Sequence, residues 1–437
     1  MKRLFFTLLL TGFVTMIIAQ DLKKAKSYVE KKQLDLAKTE IDAYVTKTPD
    51  DLEGYYYKAK IYQLIADSAQ FKSLIPGDAR QEAFEAFSKA MADTTNAKIT
   101  LIALKDKYSP IFNLYTGYYE SAANAFNAAA QATDKAGFLN AMDLFIKANN
   151  IGQYIARNKW SNIPPIDTTL VLNIGKAALN AGKTDSAKVY FLKIADAGIS
   201  GTKDGGANNA AFELPYQWLT LHYKEAKDEA NMMKYADLGK KFFPNQDYFD
   251  LVLIDYYREK KDHPALFAKY EELITKHPDS LGYHFNYAND IFGYLYNADA
   301  GVTVTNKEAL SKTLGEQVEK AHSLNPENVL TNWLYAQYYY NKGIDTRDTA
   351  LKVKGTKPED VKKKAELNAA AKENFNKAVP FAEKALSTLE ASSKKSDKSR
   401  YKSIVDLMQK IYQSLNQNDK VKLYQDKYDA ADGKFLN

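Results

Sequence analysis

The sequence predicts an all-α fold, a superhelical solenoid of about nine stacked helix pairs, and three observations carry that prediction. Pro244 and Pro278 stand 34 residues apart and close the same pattern of helix formers, aromatics and small residues. That spacing is the length of one repeated helix–turn–helix unit. Pro49 and Pro326 close the same pattern elsewhere in the chain. Strand signals are scarce, because apart from "AGVTVTN" no run of alternating β-branched residues is bounded by turn chemistry.

Numbering each unit so that its proline falls at position 32 organises the chain from its start. Ala25, Tyr28, Ala37 and Pro49 take positions 8, 11, 20 and 32. The next unit has Ala59 and Tyr62, then resumes with Ala83, Phe87 and Ala90 after an inserted "SLIPGD". A weaker unit follows around Ala129, Ala141, Phe145 and Ala148, and another has Gly175, Gly182, Ala187 and Phe191 at 8, 15, 20 and 24. Unit Glu213–Gln246 has Tyr223, Gly239 and Pro244 at 11, 27 and 32. In unit Asp247–Ser280, Tyr257, Tyr270 and Pro278 take 11, 24 and 32. The unit opening at Leu281 places Ala288 at 8, Ala321 at 27 and Pro326 at 32, with its excess length in "GYLYNADAGVTVTN". Ala336, Tyr339 and Gly343 open a unit whose second helix, "AVPFAEKALSTL", is delayed by a long insertion, and Tyr412 and Val421 belong to the last. Small residues let two helices approach to about 8–10 Å, aromatics fill the gaps between pairs, and proline stops each second helix.

These phased residues resemble the tetratricopeptide repeat family over Asp21 to Gly433. The resemblance implies a curved stack whose groove is lined by the first helix of each unit at positions 2, 5, 9, 12 and 13. On this sequence those positions give Tyr56, Lys60 and Gln63, then Phe285, Asn289 and Phe292, then Trp333, Gln337 and Tyr340. An aromatic one turn from an amide suits an extended peptide, with rings burying side chains and amides meeting backbone. The same chemistry suits sugar rings. The carboxylate clamp of one subfamily needs lysine at 5 and asparagine at 9. The pairs here are Tyr56/Lys60, Leu251/Asp255, Phe285/Asn289 and Trp333/Gln337, so that pattern is absent.

The expected organisation is a leader at 1–19, a first block at 20–200, a glycine-rich linker at 201–212 and a second block at 213–437. Insertions are expected at 293–307 and 344–376. In the second of these, "IDTRDTALKVKGTKPED" mixes glycine, proline and charge and predicts a loop, with Asp345–Pro358 removable at little cost. Val361 to Asn376 predicts a helix that extends the second helix of the unit.

Lys2 and Arg3, the apolar run from Leu4 to Ile18 and the small Ala19 form a secretory leader pattern. Export is therefore expected, to the periplasm or the periphery of the outer membrane, or beyond the cell, with no transmembrane segment in the mature chain. There is no cysteine, which removes disulfides, thiolate–zinc sites, thiol catalysis and a lipidated N-terminal cysteine. The formal charge is +6, but from Leu351 onward 19 basic residues face 12 acidic ones. That basic end suits an acidic protein, lipid headgroups or polyanionic glycan, or is a solvated lysine-rich surface.

The five histidines lack metal-binding spacing, and no nucleophile elbow, phosphate loop or dinucleotide fingerprint occurs. No enzyme activity, cofactor, metal or nucleic acid is expected. The expectation is an exported scaffold that binds a protein or peptide partner, with outer-membrane machinery among the candidate partners; the alternative is an exported glycan- or small-ligand-binding protein.

Overall fold

The computed structural model describes residues 22–161, 167–201, 209–297 and 304–435. The leader and most of the glycine-rich linker lie outside the described residues. Those described hold nineteen α-helices and no strand. They fall into two compact units, which divide between Phe243 and Pro244.

The first unit pairs α1 (Leu22–Glu30) with α2 (Leu34–Lys47) and α3 (Leu52–Ala66) with α4 (Ala79–Ala90). A lone α5 (Ala97–Lys105) follows. Then come α6 (Ser109–Ala132) with α7 (Lys135–Arg157), α8 (Thr168–Asn180) with α9 (Thr184–Ala195), and α10 (Glu213–Glu225) with α11 (Glu229–Phe242). The second unit pairs α12 (Tyr248–Lys260) with α13 (His263–Lys276) and α14 (Leu281–Tyr296) with α15 (Lys307–Leu324). It ends with α16 (Val329–Lys352) on α17 (Pro358–Glu390) and α18 (Lys398–Ser414) on α19 (Asn418–Lys434).

The register explains these boundaries. Thr48, Phe243, His277 and Asn325, each just before a phased proline, cap the helices α2, α11, α13 and α15. Proline's ring drives its predecessor out of helical backbone, and each capping N–H still bonds the carbonyl four residues back. At the opposite ends, Asp51, Asp78, Asn96, Asp134, Asp228 and Ser280 accept hydrogen bonds from first-turn amides. The small residues of the register are buried: Ala25, Ala37, Ala59, Ala83, Ala288, Ala321 and Ala336 have no exposed surface. At Gly175 an added Cβ would lie 2.5 Å from the Phe191 ring, so this pair needs glycine to close.

In five pairs the chain turns between the two helices through one left-handed residue at position 15. Glycine fills it once, at Gly182, but Lys32, Lys227, Lys261 and Asn416 hold the same conformation with φ of 56–59°. The α6–α7 turn passes through Thr133, with φ 54°.

Tyrosine does much of the work between helices. Hydroxyls of buried or half-buried tyrosines donate to carboxylates on other elements: Tyr62 to Asp42 (2.7 Å), Tyr118 to Asp78 (2.8 Å), Tyr115 to Asp167 (2.6 Å) and Tyr283 to Asp247 (2.6 Å). A cation often joins the same carboxylate, as Lys147 does on Asp78 and Arg258 on Asp290. Burial pushes the Asp78 carboxyl up, but hydrogen bonds from Lys147, Tyr118 and the Gln81 amide outweigh it and hold the group below its ordinary range. Asp42 and Asp106 are lowered in the same way, against their burial, by lysine and tyrosine donors.

The expected loop after Gly343 is a correction. Helix α16 continues through Ile344 to Lys352, and only residues 353–357 connect it to α17. Gly343 lies inside the helix because its missing side chain receives Phe375 of α17, whose ring would be 2.5 Å from a Cβ there. Asp345 is likewise anchored rather than mobile, accepting from Lys307 (2.6 Å) and Tyr296 (3.2 Å).

Candidate functional site

The sequence-predicted groove residues separate into three fates. Tyr56 and Gln63 are buried, and this corrects their assignment to a partner-facing surface. Helix α5 ends over Tyr56: the Tyr56 hydroxyl donates to Asp106 (3.0 Å), and Lys60 pairs with the same carboxylate at 2.8 Å. The Gln63 amide donates to Asp67 while its carbonyl accepts from Asn113 of α6 at 3.3 Å. Phe292 is also buried, its ring 5.2 Å from Tyr296 in the α14 core.

Phe285 sits half-buried at the edge of that core, and Asn289, one turn on, is exposed. Trp333, Gln337 and Tyr340 form a half-buried stripe along α16. Trp333 and Tyr340 pack on the core shared with α17, α18 and α19, Tyr340 lying 5.8 Å from Phe375. The Trp333 indole N–H is buried without an acceptor.

A groove lies on another face of α16. Between α15 and α16 runs a groove of about 1360 Å³. Its floor is Tyr335, Tyr338 and Tyr339. These rings are mutually braced: Tyr335 stacks on Tyr339 at 5.1 Å and on Phe381 of α17 at 4.1 Å, and His322 of α15 closes edge-on to Phe381 at 5.2 Å. Burial pushes the Tyr335 hydroxyl well above its ordinary pKa, with the Tyr339 hydroxyl 3.5 Å away adding to it, so it remains a hydrogen-bonding phenol at any physiological pH.

Gly315 lets the two helices close below the floor, since a Cβ there would lie 2.5 Å from the Tyr338 hydroxyl. That hydroxyl accepts from Lys342 at 3.2 Å. The rim carries both signs at helical spacing: Glu308, Lys312, Glu316 and Glu319 on α15, facing Lys342, Asp348 and Lys352 on α16. At the upper end Asp345 ties together Lys307 and Tyr296 and fixes the α15 start against α16. The groove therefore has an aromatic, hydroxyl-bearing floor and a mixed-charge rim, which suits a chain with apolar and charged side chains in alternation.

The sequence held the signal in "WLYAQYYYNKG": Tyr335, Tyr339 and Lys342 share one face at helical spacing. Among the described residues no group of acidic or histidine side chains could hold a metal ion, and no helix is long and apolar enough to cross a membrane.

No protein-family model matches the chain, and no curated protein matches it significantly. Solved structures do. The chain is similar to the TPR domain of P58(IPK) at 13% identity, covering 91% of this chain and 98% of that one with a TM-score of 0.25. It is similar to human IFIT1, solved as a dimer with m7Gppp-AAAA, at 14% identity over 85% and 89% of the two chains, with a TM-score of 0.24. Against the Cut9–Hcn1 hetero-tetramer of the APC/C the identity is 10%, over 94% and 86%, with a TM-score of 0.19. The fold is a tetratricopeptide-type α-α superhelix, and its strongest support lies in the chain itself: helix pairs of 13 and 14 residues in units of 34, buried small residues at fixed positions and phased prolines after the second helices α2, α11, α13 and α15.

Proposed function

We propose that this protein is a protein-interaction scaffold, exported from the cytoplasm, that receives an extended segment of a partner protein in the groove between α15 and α16. The observation that carries this reading is the groove: preformed, floored by braced tyrosines and rimmed by charges of both signs. Well-packed aromatics give a peptide large contact area at low entropic cost, while a charged rim sets its register. The leader pattern at residues 1–19 supports export, and an assembly at the outer membrane is the setting we favour.

A photo-crosslinking amino acid placed at Lys312 tests the site in cells. Capture of a discrete protein, lost on Glu319→Lys/Asp348→Lys, supports the reading, and capture unaffected by those reversals sinks it. The exposed Asn289 beside Phe285 and the stripe at Trp333, Gln337 and Tyr340 offer a second surface. If Asn289→Ala/Gln337→Ala removes the partner while Glu319→Lys does not, binding lies on the first helices of the pairs. Saturable binding of a sugar with no protein captured would promote the glycan reading. Fractionation of cells tests the location.

A further inference from the structure

The end of the α16–α17 hairpin carries a dense positive charge beside exposed aliphatic side chains. From Lys352 to Lys364 the chain carries six lysines (352, 354, 357, 362, 363 and 364) against Glu359 and Asp360. Elsewhere in the same unit many lysines are matched: Lys398 and Lys402 both hold Asp432 at 2.9 and 2.7 Å, Lys410 holds Asp406 at 2.6 Å, and Lys427 pairs with Glu390. At the hairpin end the only ion pair among the described residues is Lys362 with Glu366, at 4.0 Å. Six lysines against two carboxylates leave the stretch from 352 to 364 with a formal charge of +4.

Two aliphatic side chains stand among these lysines. Leu351 is 64% exposed and Val361 59% exposed. Leu351 lies next to the last residue of α16 and Val361 in the first turn of α17, with a five-residue turn between the helices. Both aliphatics are thus at the same end of one hairpin. Little packs on this end: the first buried residue of α17 is Ala371, its fourteenth, and beyond Gly343 the one buried residue of α16 is Ala350. Lysines around protruding aliphatics match a surface that is anionic outside and apolar just beneath, whereas an acidic protein would use the charge and leave Leu351 and Val361 unexplained.

We propose that the tip of the α16–α17 hairpin docks on a bilayer leaflet bearing anionic phospholipid, with the lysines among the headgroups and Leu351 and Val361 inserted at the acyl boundary. This surface meets the α15–α16 groove only at Lys352, which borders both and is left unchanged in the variants below, and it stands whether or not the groove binds a peptide. Lysine near an anionic leaflet contributes enough that reversing three of them lowers partitioning on the order of a hundredfold or more.

The test is flotation of the purified protein with phosphatidylcholine vesicles, with and without phosphatidylglycerol. Binding is expected only with phosphatidylglycerol, weakening as salt rises. Lys362→Glu/Lys363→Glu/Lys364→Glu should abolish it, and Leu351→Ser/Val361→Ser should weaken it severalfold at low salt. All five side chains are exposed, so circular dichroism of both variants should match the parent. Equal binding to neutral vesicles, no binding to anionic ones, or binding that survives both variants overturns the proposal. So does retention on immobilised polyglutamate without any flotation, which would make the partner an acidic polypeptide.

Discussion

Two long hairpins, one in each unit, solve the same problem in opposite ways. Helices α6 and α7 run for 24 and 23 residues, and α16 and α17 for 24 and 33, against 13 and 14 in the regular pairs. The α6–α7 hairpin is apolar almost to its end: Ala129 and Phe138 are buried, and the Phe126 and Phe138 rings meet at 5.1 Å. In the α16–α17 hairpin burial on α17 begins only at Ala371. Length beyond the repeat is therefore used once as core and once as exposed surface. Helix α17 can afford that because i,i+4 pairs such as Lys377–Glu373 and alanine-rich composition support an exposed helix without a core.

The largest test of this contrast is truncation near each tip. Phe138→Ala should cost about 3–4 kcal/mol in urea titration, while Val361→Ala should stay within about 0.5 kcal/mol. A comparable loss at both positions would break the comparison. Next in size is Tyr118→Phe. It takes one of three donors from Asp78, which also anchors Lys147 of α7 at 2.5 Å, and should cost about 1.5–2 kcal/mol.

That carboxylate also gives the first hairpin an acid sensitivity the second lacks. Asp78, Asp42 and Asp106 have folded pKa values below their unfolded ones, so the stability they contribute is complete above about pH 4–5 and is lost as pH falls through the folded values. In the second hairpin the lowered carboxylate Glu373 lies on the exposed face of α17, held by Lys377 alone. Hydrogen exchange as pH is lowered towards 3 should deprotect α6 and α7 before α17, and the reverse order would contradict the assignment.

A smaller effect is expected at the turn. Thr133 is β-branched and left-handed, so Thr133→Gly should raise stability by about 1 kcal/mol in the same titration. The smallest is at the other tip. Replacing 353–357 with a shorter polar turn should leave the melting midpoint unchanged, while extending the deletion back to Asp345 should lower it through loss of the Lys307 and Tyr296 contacts.

The repeat was legible because its signals are local. Each phased proline acts on its own neighbour, and each small residue fits its own partner helix. The site was harder to read because it depends on what lies across from it. Tyr56 and Gln63 occupy groove-facing positions, but the end of α5 meets the first and α6 the second, and nothing in "AKITLIALK" says which pair α5 joins. In α16 the aromatics surround the helix, so periodicity cannot pick the open face; neighbouring helices do. The hairpin was misjudged at Gly343, where glycine signals a turn unless a ring such as Phe375 is waiting for the space.

The tyrosine–carboxylate contacts have a mechanical consequence. Tyr118–Asp78, Tyr115–Asp167, Tyr283–Asp247 and Tyr296–Asp345 each join one helix pair to the next rather than the two helices of a pair. Under tension applied at the ends, such bonds load one at a time, since each pair touches only its neighbours. Within each unit, an optical trap should therefore record a staircase of small extensions with one step per pair. With no disulfide to lock any step, relaxation of the force should let the same steps close again.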